Sequence, residues 1–158
     1  MPPQSFRRIL ELLEQHDVEY VVVGGVAAVL QGAPVTTFDL DALIKIDPGN
    51  VGRLASALTA LDARYREHND LRPSREDLAA GGHLLLMTDS GPFDVLGFIG
   101  GGKRYEDIVG SVISLDVGDL KIKVLSLAAL VEEKKALGRD KDLAVVRLLE
   151  AVLARKQR

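Results

Sequence analysis

Three short clusters of residues could do chemistry together: Gly24-Gly25, then, after 13 intervening residues, Asp39-Leu40-Asp41, and further on Phe93-Asp94-Val95. Aspartate carboxylates are hard oxygen donors of the kind Mg²⁺ takes, usually one or two per ion with substrate phosphates completing the octahedron. Two aspartates at i and i+2 of a strand project to one face, and a third from a neighbouring strand can join them. Such a group of like charges is unfavourable without a cation, so the pattern points to a divalent metal. A glycine pair between a strand and a helix lets backbone approach a phosphate closely, and the helix start adds free N–H groups. The spacing therefore predicts a metal site at Asp39, Asp41 and Asp94 beside a phosphate site at Gly24 and Gly25. Taken singly, a Gly-Gly turn or an Asp-x-Asp strand is ordinarily structural; the combination carries the reading.

The elements that must position these residues are legible in the hydrophobic pattern. Phe6, Ile9, Leu10, Leu12 and Leu13 recur at helical spacing over residues 5–15. Tyr20 and three valines form a β-branched run that ends at Gly24, and residues 26–30 read as a short helix closed by Gly32. Residues 38–44 alternate with period two through the aspartates. Asp47-Pro48 is an N-cap followed by proline, opening a helix to about Ala63. Residues 64–73 read as loop, and Ser74 with Glu76 and Asp77 as a short helix start. Two β-hairpins follow, residues 83–87 with 92–98, placing Asp94 in a strand, and 112–116 with 120–124. Ser126 caps a helix that Gly138 ends, and residues 141–155 form a last helix. Strands and helices interleave without a regular βαβ repeat, so the fold class expected is α+β with a mixed or mainly antiparallel sheet and a C-terminal helical hairpin.

At 158 residues, 47% hydrophobic and 27% charged, the chain has the makings of one globular domain with a real core. The division expected is a single domain over 1–158, with an α/β core at 1–125 and the helical hairpin at 126–158. A net charge of -3 argues against a general polycation for nucleic acid. The absence of cysteine excludes disulfides and thiolate metal sites and suits a cytoplasmic location. The longest apolar stretch, residues 20–30, is 11 residues and carries two glycines, too short to span a bilayer; the N-terminus lacks a signal-peptide core. No membrane partner is expected.

At the glycine and aspartate positions the sequence resembles the nucleotidyltransferase superfamily of the DNA polymerase β-like fold. Val23-Gly24-Gly25-Val26-Ala27, Gly32-Ala33-Pro34, Thr37-Phe38-Asp39-Leu40-Asp41 and Phe93-Asp94-Val95-Leu96 are similar to minimal nucleotidyltransferases grouped with AbiEii-type toxins of type IV toxin–antitoxin systems. The stretch from Leu130 to Leu143, with its basic helix, Gly138-Arg139 turn and Lys141-Asp142 helix start, resembles the close of such chains. The resemblance implies two-metal phosphoryl transfer: Asp39, Asp41 and Asp94 hold two Mg²⁺ ions, and Asp94 serves the acceptor hydroxyl as base. An NTP is the donor, and the acceptor is a tRNA end or a protein side chain. A cognate antitoxin is the implied protein partner. Lys134, Arg139 and Lys141 are candidates for neutralising the triphosphate. Val35 stands where many relatives carry arginine, and Gln31 where histidine is frequent. These departures keep open a catalytically silent nucleotide-binding or adaptor protein of the same fold that acts through a protein partner.

Residues 134–158 hold eight Lys or Arg against three Asp or Glu, a local excess of +5 that could attract RNA or simply be a solvated helix face. The run from Gly97 to Lys103 satisfies P-loop spacing, but Arg104 occupies the position where Ser or Thr should bind Mg²⁺. It is expected to be a flexible loop beside the site. His16, His68 and His83 lack ligand spacing, which leaves a zinc site unsupported.

Overall fold

The computed structural model describes residues 4–157. Helix α1 (Gln4–Gln15) leads into β1 (Tyr20–Val23), α2 (Gly24–Leu30), β2 (Leu40–Ile44), α3 (Pro48–Ala60), β3 (Arg64–Tyr65) and α4 (Arg75–Ala79). Hairpins β4 (His83–Thr88)/β5 (Gly91–Leu96) and β6 (Val112–Val117)/β7 (Leu120–Leu125) follow, then α5 (Leu127–Leu137) and α6 (Asp140–Lys156). The seven strands form one mixed sheet in the order β3-β4-β5-β2-β1-β7-β6. β1 runs antiparallel to β2, while the pairs β2/β5 and β1/β7 are parallel. The α+β class, the mixed sheet and the closing helical pair are those the sequence predicts.

Local chemistry accounts for the element ends. Asp47 accepts from the Asn50 N–H at 2.8 Å and precedes proline at N1, so α3 starts there. Ser74 and Asp77 exchange side-chain and backbone hydrogen bonds in a capping box that opens α4. Gly138, at φ +67°, stops α5 in the left-handed conformation that glycine enters without steric cost.

Burial shows which sheet face is open. All four residues of β1 are buried, whereas along β4 the exposed His83, Leu85 and Met87 alternate with more buried neighbours. The β3–β4–β5 side thus presents one face to solvent, the face Leu85 shares with its cross-strand partner Asp94. Fully buried Asn50 ties the sheet to α3: its Oδ1 accepts from the Glu19 N–H at 2.7 Å, and its amide donates to the Glu19 carbonyl at 2.9 Å and the Lys45 carbonyl at 2.7 Å.

Two expectations are corrected. Arg64-Tyr65 is an edge strand paired with Met87 and Leu86, not loop, because two residues are too few to show a period in sequence. β2 starts at Leu40, so Asp39 lies just before the strand rather than within it, and the neighbouring Phe38 is exposed.

Candidate active site

A single row of residues crosses the sheet. The Arg66 N–H donates to the Leu85 carbonyl at 2.9 Å; Leu85 stands opposite Asp94, Asp94 opposite Asp41, and Asp41 opposite Val23. Directly opposed residues share a face, so Asp41 and Asp94 stand side by side because β2 and β5, far apart in sequence, pair in parallel. Val23 ends β1 in extended geometry, and Gly24 turns the chain at φ +65°. A Cβ on Gly24 would sit 2.3 Å from Asp41 Oδ2, so only glycine allows the carboxylate to lie against the turn. Gly25 is likewise required, because a Cβ there would meet Thr37 Oγ1 at 2.7 Å. Thr37 in turn donates to the Asp39 carbonyl at 3.2 Å, bracing the segment that carries Asp39.

Electrostatics mark Asp41. Burial, reinforced by the charges of Asp94 and Asp39 and opposed by Lys134, pushes its carboxyl up to about 8. Its Oδ1 is buried and has no hydrogen-bond partner. An orphaned carboxylate oxygen beside two further carboxylates suits a hard divalent cation. Asp39, Asp41 and Asp94 would hold it. As the side chains stand, however, no group of three or more acidic or histidine side chains among the described residues is disposed to enclose a metal ion. Arg66 intervenes: its Nη2 donates to Asp94 Oδ1 at 2.6 Å and its Nη1 lies 3.9 Å from Asp39 Oδ2.

Asp41 and Asp94 open into a cleft of about 420 Å³ whose lining also includes Gly24, Lys134 and Arg139 but neither Asp39 nor Gly25. Lys134 reaches it from the last turn of α5 and Arg139 from the N-cap of α6, both engaged by buried Asp142 at 3.5 and 2.5 Å. The Asp142 carboxyl is held below the usual carboxylate range by the Arg139 hydrogen bond and the charge of Lys134. Lys141 is not part of the lining; it is exposed at the start of α6. Gln31 serves the core: its amide donates to the Ala27 and Leu125 carbonyls at 3.0 and 2.8 Å, and its Oε1 accepts from the Leu127 N–H at 3.2 Å. Val35 packs against the core.

Arg66 and His83 are the residues that sequence spacing does not reveal. Arg66 falls in what reads as loop, and no period marks it. His83 lines the cleft with its ring centroid 4.5 Å from that of Phe98, far from any other histidine in sequence. The Gly97–Lys103 run also borders the cleft, through Gly100 to Gly102, and is fastened to α5 where the Gly100 N–H donates to Glu133 Oε2 at 3.1 Å. Two of its glycines answer to packing: a Cβ on Gly97 would lie 2.1 Å from the Gly81 carbonyl oxygen and one on Gly100 2.6 Å from the Glu133 carbonyl oxygen.

No protein-family model matches the chain, and no curated protein matches it in sequence. Solved structures do match. The lincosamide antibiotic adenylyltransferase LnuA, in its lincomycin-bound form, aligns with a TM-score of 0.65 at 16% identity over 96% of this chain and 98% of its own. The antibiotic-resistance factor ANT(2'')-Ia aligns at 0.60 and 14% identity over 97% of this chain and 89% of its own. A Thermotoga maritima protein provisionally named a nucleotidyltransferase aligns at 0.58 and 21% identity over 90% of this chain and 88% of its own. The sheet that brings Asp41 beside Asp94 and Gly24 is thus built on the fold these nucleotidyltransferases share.

Proposed function

We propose that this protein is a Mg²⁺-dependent nucleotidyltransferase, a single domain over residues 1–158, that moves a nucleoside monophosphate from an NTP to an acceptor hydroxyl. The observation that carries the reading is the opposition of Asp41 and Asp94 across β2 and β5, directly against a glycine turn that tolerates no side chain. Asp39, Asp41 and Asp94 are the residues assigned to two Mg²⁺ ions. When bound, the ions supply charge neutralisation for the triphosphate and lower the pKa of the acceptor hydroxyl. Gly24 and Gly25 are the residues assigned to the triphosphate, approached through their backbone, since Asp41 and Thr37 fill the space beside their Cα atoms; α2 is only seven residues long, so its dipole adds little. Asp94 takes the acceptor proton as the acceptor oxygen bonds to the α-phosphorus; the bond from that phosphorus to the bridging oxygen breaks, and pyrophosphate leaves. Lys134 and Arg139 stand where positive charge would balance the leaving group. Lys141, on the exposed start of α6, has no place in this step.

For the acceptor, the +5 excess of residues 134–158 supports a tRNA end, ahead of a protein side chain. The role that accompanies it is that of a toxin held by a cognate antitoxin. A small hydroxyl-bearing molecule is the second reading. It is favoured by the apolar lining of the cleft at Leu85, Leu96, Phe98 and Leu137, and by the antibiotic adenylyltransferase among the fold neighbours.

The test is the thermal shift of wild type with each of the four NTPs, with and without Mg²⁺. At 100 times Kd, binding adds about 2.7 kcal/mol, which raises Tm by roughly 5 to 11 °C in a protein of this size. A Mg²⁺-dependent shift that Asp41→Asn abolishes is the expected result. No shift with any nucleotide would leave the silent adaptor as the reading of this fold. With a binding NTP in hand, transfer of its α-³²P label to tRNA, protein or a lincosamide identifies the acceptor.

A further inference from the structure

Arg66 is held from several directions at the mouth of the aspartate cluster. Its backbone N–H is fixed to the Leu85 carbonyl, and its Nη2 donates both to the Leu86 carbonyl at 3.0 Å and to Asp94 Oδ1 at 2.6 Å. Its Nη1 faces Asp39 Oδ2 at 3.9 Å, and its Nε is buried with no partner at all. The side chains of Arg66 and Asp94 are 28% and 14% exposed, so the pair is shielded and its attraction is stronger than that of a surface ion pair. An arginine that leaves one donor buried and unsatisfied in order to reach two carboxylates is placed for their charge rather than for its own hydrogen bonds.

We propose that Arg66 is a built-in counter-cation: it neutralises Asp94 and Asp39 when no metal is present, and it must leave Asp94 before the three carboxylates can close on a divalent ion. The inference rests on the metal-dependent reading above. Arg66 is a positioning residue in this scheme, touching neither donor nor acceptor. The single bond from Nη2 to Asp94 Oδ1 competes with a metal for that oxygen, and the positive charge repels the incoming ion, so each state disfavours the other. Arg66 directly follows the two-residue edge strand β3, and its bond to the Leu85 carbonyl is made by the backbone, so release of the guanidinium from Asp94 does not require the loss of that bond. The consequence is a lowered intrinsic metal affinity, which keeps the carboxylates charge-balanced until the cation concentration is high enough.

The experiment measures Mn²⁺ binding to the full chain, without nucleotide, by the electron paramagnetic resonance signal of free Mn²⁺. Wild type, Arg66→Met and Arg66→Lys are compared, with thermal melts in EDTA beside them. Arg66→Met is expected to bind Mn²⁺ at least about tenfold more tightly, because a neighbouring like charge has gone. Its Tm in EDTA falls below that of wild type, and saturating Mn²⁺ narrows the gap. Arg66→Lys, with charge but no fork, falls between. Should Arg66→Met fail to fold, arginine side-chain NMR of wild type gives the same answer: the Arg66 guanidinium is restrained in EDTA and released by Mg²⁺. Wild type that binds Mn²⁺ while Arg66→Met binds no better, or a guanidinium unmoved by saturating Mg²⁺, overturns the role of Arg66 alone. No Mn²⁺ binding by either form overturns the metal-dependent reading, and this inference with it.

Discussion

At the scale of single residues, Asp41 is under the greatest tension. Burial and two neighbouring carboxylates disfavour its charge, and one of its oxygens has no partner. Replacing it with asparagine removes the repulsion while keeping the shape. Asp41→Asn should therefore raise Tm in EDTA, and should abolish the Mg²⁺-dependent nucleotide shift and NMP transfer together. A variant that melts lower than wild type in EDTA would show that the carboxylate is satisfied in a way this geometry does not contain. The combination of higher stability and lost function is the signature of a residue kept for chemistry at a structural cost. Gly24 belongs with it, because the turn and the carboxylate share one space.

At the scale of elements, one clamp fixes the far end of the central strand pair and another fixes a wall of the site. Asn50 bonds the backbone at Glu19 and Lys45, the outer ends of the β1/β2 pair. Asn50→Ala leaves buried backbone groups without partners, at a cost of at least about 1 to 3 kcal/mol, and the drop in denaturant midpoint measures it. The second clamp is Asp142 on α6, which holds Lys134 of α5 and Arg139 at the start of α6. Its carboxyl is depressed by these cations, so its stabilising contribution is present above the unfolded-state carboxylate pKa of about 4 and disappears as pH falls through the lower folded-state value. The stability difference between wild type and Asp142→Asn should accordingly be full at pH 7 and shrink progressively below about pH 4. A difference that persists unchanged into strong acid would assign the loss to packing rather than to charge.

At the scale of the whole molecule, the charge distribution bears on the acceptor. The net charge is -3, yet residues 134–158 carry an excess of +5. If this end meets tRNA, the logarithm of the binding constant falls linearly with the logarithm of salt, by about 0.7 for each single-strand phosphate neutralised. Arg155→Gln with Lys156→Gln should then reduce the slope; an unchanged slope would turn attention to a small acceptor in the apolar cleft. No helix among the described residues is long and apolar enough to cross a membrane. The sequence by itself determined most of the elements and their class, because helix periods, the β-branched run at β1 and the turn chemistry around Gly91 and Gly118 are local signals that survive in one dimension. It also marked Gly24, Gly25, Asp39, Asp41 and Asp94 through their types and order. Only the tertiary structure decided that β2 and β5 pair in parallel with Asp41 opposite Asp94, that Lys141 stands outside the cleft while Lys134 and Arg139 line it, and that Arg66 reaches the aspartates from just beyond an edge strand of two residues. Pairing between distant strands leaves no period in the chain, and an arginine in a short irregular stretch carries no mark of the carboxylates it will meet.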